Sequence, residues 1–350
     1  MTVRILHPKA GPRAGVLSAW LADERAAIAL RHLDGFRAAG AADAAIVSGP
    51  PDATSFGERL RALVRADRPV GLVVLGSGAI PLATSRDRAD LVAAAGSDAR
   101  VALANNVYSA DVVAVAGAWP TLADVPDLPS DNALPRWLAE VAGYRVADLR
   151  RRWRLAVDVD GPLDLVLLGG VRAANQAPVD LTRVHAALAG VQAVTGDAAA
   201  ELLVAGRTSA ATIGWLERTT ASRTRVFVEE RGLRTGLAGQ RPPASVVADS
   251  IERDGPDAFG RTLARFADAA VIDTRVLMAA RFGRDEAGWP PAEDRYASDL
   301  LLAERIADPW LRALTASAAD APIPIVLGGH TLVGPGLRLA LRGRAGPSWS

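Results

Sequence analysis

Residues Val70 to Leu82 read VGLVVLGSGAIPL, and Ser85 to Ala95 read SRDRADLVAAA. A short run of aliphatic and β-branched residues, closed by Gly76-Ser-Gly, predicts a strand buried on both faces with a tight loop behind it. The next stretch has helical composition, with Ser85 and Asp87 where helix caps belong. The whole is a strand–loop–helix unit, and the same alternation runs outward from it.

Strands are predicted at Ala44–Ser48, Val70–Leu75, Val101–Ala104 and Val112–Val115. Helices are predicted at Trp20–Ala39, Phe56–Val64, Ser85–Ala95 and Pro135–Ala142. In the first, Leu21, Ile28, Leu33 and Phe36 form one apolar stripe. This order predicts a three-layer α/β domain with a mostly parallel sheet. Periodicity stops between Gly169 and Pro178, and a helix follows at Thr182–Thr195. A second alternation starts at Glu201. It comprises strand 201–205, helix Ala210–Thr219, strand Arg225–Glu229, a Gly/Pro-rich loop and helix Ser245–Ala267. Strand Ala269–Asp273, helix Ala297–Ala318 and strand Ile323–Leu327 complete it. The expected organisation is one α/β domain over 1–168, a linker and helix over 169–200, and a Rossmann-like α/β domain over 201–350.

Composition narrows the function classes. The chain has 350 residues, a formal net charge of +1, and hydrophobic residues make up 50% of it. Near-balanced charge gives no reason to expect nucleic acid or an anionic membrane as partner. Cysteine is absent, which removes disulfides, thiolate metal sites and cysteine nucleophiles. Lys9 is the sole lysine, so a reaction that needs a lysine has one candidate. The segment Met1–Leu17 has scattered basic residues and no apolar core, so it is not read as an export signal. Val101–Ala118 and Leu155–Val171 are interrupted by polar residues and are not read as membrane spans. A cytoplasmic location is expected. The histidines, at 7, 32, 185 and 330, are far apart, and His32 and His185 read as packing or surface positions. The tryptophans form no stacking ladder with basic residues.

Four stretches, taken in order, resemble the GT-A-like (nucleotide-diphospho-sugar transferase-like) nucleotidyltransferases. The closest likeness is to the 2-phospho-L-lactate and molybdenum cofactor guanylyltransferase group. The opening from His7 to Arg13 (HPKAGPR), with Val16–Ser18 and Asp23–Leu30 behind it, resembles that group's nucleotide loop and first helix. Val70–Leu82 resembles its central strand, Leu103–Val113 (LANNVYSADVV) its acceptor-side strand, and Leu155–Leu165 (LAVDVDGPLDL) its Asp-x-Asp motif. The likeness covers residues 1–168 and implies transfer of a nucleotidyl group from a nucleoside triphosphate to a small phosphorylated or carboxylated acceptor. Lys9 and Arg13 would hold the triphosphate. Asp158 and Asp160, at i and i+2 on one face of a strand, would hold Mg²⁺. Gly11, Gly76, Ser77 and Gly78 would approach the nucleotide, and Asn105, Asn106, Ser130 and Asp131 the base or acceptor.

Each residue also has a plainer reading. Lys9 and Arg13 fit a solvated segment, Gly76 and Gly78 a tight turn, and Asn105 and Asn106 loop pairing. Asp158 and Asp160 fit the cap of a helix predicted at Pro162–Leu168, and Ser130–Asn132 another cap. The sequence departs from the family pattern too, with Ala79 where the central strand ends in aspartate and Gly161 where threonine is usual. A second reading therefore stands beside catalysis. The first domain is a degenerate transferase that binds a nucleotide or a partner, and any chemistry lies in the second domain. There the candidates are Arg207, beside a helix start that suits an anion, and Asp273, Arg275, Asp294 and His330 at the ends of strands and loops. Their plain reading is a buried network of ion pairs and caps. The loop Phe282–Pro291 is long enough for a lid.

Overall fold

A computed structural model describes residues 1–50, 52–169, 177–230 and 241–341. The chain divides into two compact units, Met1–Ala14 with Ala22–Val159, and Gly15–Leu21 with Asp160–Ser350. The division falls at Val159, ahead of the boundary expected at 168. Most of the expected linker after Gly169 and of the loop after Glu229 lies outside the described residues.

Unit 1 is built on six strands: β1 (Thr2–Pro8), β2 (Asp43–Gly49), β3 (Leu72–Gly76), β4 (Val101–Ala104), β5 (Val112–Val115) and β6 (Arg145–Asp148). Their order in the sheet is β2-β1-β3-β5-β4-β6. All run parallel except β5, which pairs antiparallel with both β3 and β4. Helices α1 (Val16–Ala38), α2 (Phe56–Asp67) and α3 (Ser85–Ala95) fall between the early strands. β3 shows why the sheet has two covered faces. Leu72 and Val74 join the core that contains Leu60 and Val64 of α2, whereas Val73 and Leu75 join the core with Phe36 of α1 and Leu91 of α3. Alternate side chains of a strand point to opposite faces, so a strand of LVVL must be covered twice. Thr84 and Asp87 form a reciprocal capping box at the start of α3.

Unit 2 has a four-stranded, all-parallel sheet of order β10-β9-β7-β8. The strands are β7 (Glu201–Gly206), β8 (Arg223–Val228), β9 (Ala269–Asp273) and β10 (Ile325–Gly328). Its helices include α4 (Pro162–Leu167), α5 (Thr182–Thr195), α6 (Ala210–Thr219), α7 (Val246–Asp254), α8 (Thr274–Phe282), α9 (Ala292–Asp299) and α10 (Pro309–Ala319). Glu293 of α9 accepts from the main-chain N–H groups of Leu17 and Ser18 at 2.8 and 3.1 Å, and from the Ser18 hydroxyl at 2.8 Å. A carboxylate there satisfies donors that a helix start leaves open. Among the described residues, no helix is long and apolar enough to cross a membrane.

Several expectations need correction. The helix expected over Ser245–Ala267 breaks after Asp254, where Gly255 takes φ +83° and Pro256 follows. The helix expected over Ala297–Ala318 begins earlier, ends at Asp299, and resumes only at Pro309. Strands β1 and β6 and helix α8 were not anticipated. The largest change concerns Leu155–Leu165. Residues Trp153–Ala156 form a 3₁₀ turn, and only an isolated bridge between Ala79 and Asp158 follows. The main-chain N–H groups of Asp160 and Gly161 donate to the Asp164 carboxylate, which draws this segment into the start of α4. No strand therefore places Asp158 and Asp160 on one face.

Candidate functional site

In unit 1 the chain runs from β1 to β2 on one side of it, then to β3 on the other. Ligands of open α/β sheets bind in the crevice beyond the carboxyl ends at such a switch point. A cleft of about 210 Å³ lies there, lined by Leu6 and Pro8 from β1 and by Gly76, Ser77, Gly78 and Ala79 after β3. Arg25, Phe56, Asp111, Asp131 and Asp158 complete its polar and aromatic lining.

The loop after β3 is tightly specified. Ser77 N–H donates to the Leu6 carbonyl at 2.9 Å, and Ala79 N–H to the Gly76 carbonyl at 3.1 Å. The Ser77 hydroxyl lies 3.1 Å from Nδ1 of buried His7. Burial first, then Arg25 and Lys9, hold His7 below the usual histidine range. The two glycines differ in role. A Cβ on Gly78 would stand 2.7 Å from the Val159 carbonyl, so the turn itself demands glycine. A Cβ on Gly76 would meet no protein atom within 4 Å. Glycine at 76 thus leaves room in the cleft that the protein does not fill. Behind the loop, Nε2 of His32 donates to the Ala79 carbonyl at 2.7 Å. Ile80, fully buried, has φ +43°. A β-branched residue in the left-handed region is strained by about 1–3 kcal/mol, and such strain collects at functional sites.

The expected residues divide sharply. Gly76, Ser77, Gly78, Asp131 and Asp158 line the cleft. Lys9, Gly11 and Arg13 lie in the turn after β1 and are absent from its lining; Lys9 and Arg13 are exposed. Asn105 does not reach the cleft as a ligand group. Its amide nitrogen donates to Asp111 at 2.7 Å and to the Leu155 carbonyl at 2.9 Å, and its oxygen accepts from Asp111 N–H at 2.9 Å. Its role is to hold Asp111 at the rim. Asn106 accepts from Tyr108 N–H in a local turn, and Ser130 starts a 3₁₀ turn with no side-chain cap. Arg25, Asp111, His7 and His32 were missed as site residues. His7, Arg25 and Asp111 carried a signal, as polar or charged residues inside the quoted stretches 7–13, 23–30 and 103–113, whereas His32 carried none.

Asp160 belongs to unit 2, where His330 Nδ1 lies 3.6 Å from its carboxylate. Asp158 lines the unit 1 cleft, and the division between the units falls after Val159, between the two expected metal carboxylates. Among the described residues no three His, Asp or Glu side chains are grouped to hold a metal ion.

In unit 2 the switch point lies between β7 and β9. Arg207 grips Asp273 with Nε at 2.6 Å and a terminal nitrogen at 3.0 Å, and Asp273 caps Arg275 N–H at 3.1 Å. Arg275 in turn holds Asp299 through both terminal nitrogens, one at 2.7 Å. Burial pushes Asp273 up, but Arg207 and Arg275 outweigh it and its carboxyl stays below the usual range. For Asp299 burial wins over Arg275, and the carboxyl is raised. Burial, then the Asp160 charge, pushes Asp164 up to about 7. Asp294 is elsewhere, accepting from Ala307 and Asp308 N–H at 3.0 and 2.8 Å. Of the four strand-end and loop candidates, Asp273 and Arg275 meet and His330 is near enough for its charge to act on Asp273, while Arg275 pairs with Asp299 and not with Asp294. At Arg207, Asp273, Arg275 and Asp299 the geometry is that of paired charges tying loops to a sheet edge.

No family model and no curated protein matches this chain.

Proposed function

We propose that unit 1 is a nucleotide-binding module of the transferase type, with its ligand in the cleft between β1 and β3. The observation that carries this reading is the loop Gly76–Ala79. It sits at the switch point, and Gly76 leaves open space that no side chain occupies. The mixed sheet with one antiparallel strand supports the GT-A-like assignment. Main-chain groups of this loop would approach the nucleotide closely, as glycine permits. Carboxylates Asp111, Asp131 and Asp158 suit the hydroxyl and amino donors of a nucleoside, and Arg25 suits a phosphate. Mg²⁺ would enter with the phosphates of the nucleotide, since this cation keeps most of its ligands from water and phosphate.

Binding is favoured over transfer by the family route for a specific reason. Ala79 offers no carboxylate, and its backbone is committed to His32 and to the bridge with Asp158. The test is calorimetry and thermal shift with GTP, CTP and ATP, with and without Mg²⁺. At least one nucleotide is expected to bind the wild type, and Gly76→Ala is expected to weaken binding without lowering Tm. Absence of binding by every nucleotide would refute the reading. Turnover of a triphosphate that Asp158→Asn abolishes would favour catalysis instead.

A further inference from the structure

We propose that His32 is a positioning residue, a latch that holds the loop Gly76–Ile80 in its ligand-ready shape. The inference rests on the cleft reading above and assigns a role to a residue that touches no ligand.

His32 is an expensive residue where it stands. It sits in the middle of α1, is 1% exposed, and has one hydrogen bond from its ring, Nε2 to the Ala79 carbonyl. Its Nδ1 is buried with no partner. A buried polar atom without a partner is unfavourable, so an apolar residue would serve packing better. The one thing the imidazole supplies is the donor to Ala79. That carbonyl belongs to the residue just before Ile80, whose backbone is forced to φ +43°. The loop is thus held at both ends of a strained link. Val159 N–H grips the Gly78 carbonyl at 3.1 Å, His32 grips Ala79, and Ala83 N–H closes on Ile80 at 2.9 Å. Strain of this kind persists only where the surroundings over-determine it. With the Ala79 carbonyl turned to α1, Gly76 and Ser77 are left facing the cleft. Removing the donor at His32 lets the Ala79–Ile80 link relax, and the shape facing the ligand is lost.

The test uses the full chain and three variants. In His32→Phe the donor is gone; in His32→Gln an amide N–H can replace it. Phe36→Leu removes core volume from the same helix and the same apolar cluster, and serves as the matched destabilising control. Amide exchange is read on residues 77–83 and, for reference, on β3. His32→Phe is expected to speed loop exchange about 10-fold and weaken nucleotide binding about 10-fold, the equivalent of one hydrogen bond. His32→Gln is expected to restore most of both, and Phe36→Leu to lower Tm while leaving both unchanged. Unchanged loop exchange in His32→Phe overturns the latch, as does an equal effect from Phe36→Leu. If wild type binds no nucleotide, the cleft reading fails and the latch is decided on the exchange result alone.

Discussion

His32 also makes a quantitative prediction about acid. Burial first, then Arg88 and Arg31, push its imidazole down to about 4, from an ordinary 6.5; the bond to Ala79 opposes this only in part. The unfolded chain therefore takes up a proton near pH 6.5, while the folded chain resists until about pH 4. The stability His32 confers as a neutral group is complete above 6.5. It falls as pH drops toward 4, and below that the loss is complete. At 1.36 kcal/mol for each tenfold difference in proton affinity, the loss is about 3 kcal/mol. Its slope is at most about 1.4 kcal/mol per pH unit. Urea unfolding of wild type and His32→Gln across pH 4 to 8 isolates it, because other titrating groups cancel in the difference. The stability of His32→Gln relative to wild type should rise by about 3 kcal/mol from pH 7 to pH 4. A difference that stays flat across that range would refute the buried, neutral imidazole.

Asp164 works in the opposite sense. Its folded value near 7 lies above the ordinary 3.8, so its contribution is complete at low pH and is lost as pH rises through 7, by up to about 4 kcal/mol. Asp164→Asn, which keeps an acceptor for Asp160 and Gly161 N–H, should therefore gain stability over wild type at pH 8 and little at pH 4; equal effects at both would count against it. Gly78→Ala should destabilise unit 1 because its Cβ meets the Val159 carbonyl at 2.7 Å, whereas Gly76→Ala should leave melting unchanged. Arg207→Ala strands the fully buried Asp273 and should cost about 3–5 kcal/mol, with Asp273→Asn partly restoring stability in the double variant. Glu293→Ala should cost about 1–2 kcal/mol through the open donors of Leu17 and Ser18, read by thermal or urea unfolding.

Much of this protein was settled locally. The strands at 101–104, 112–115 and 269–273 and the helices at 85–95 and 210–219 match their predicted ranges. The two helices begin at side-chain caps, Thr84 and Ser209, that act over three residues and need nothing from the rest of the fold. The loop at Gly76–Ala79 could be placed at the end of a buried strand for the same reason. What local pattern could not supply was the partner of each group. Val112–Val115 looks like any buried strand, and only its pairing with β3 and β4 makes it the antiparallel member of the sheet. Asp294 and Asp299 share a helix, but five residues turn them about 140° apart, so only packing decides which one meets Arg275. Asp158 and Asp160 look like a pair at i and i+2. That spacing unites side chains only if the segment is a strand, and the Asp164 carboxylate takes the N–H groups of Asp160 and Gly161 to begin a helix instead. Sequence alone determined the alternation of elements and the loops that end them, because those depend on neighbours along the chain. The tertiary structure decided which charges are paired, which glycine faces open space, and that His32 reaches Ala79, because those depend on residues far apart in sequence.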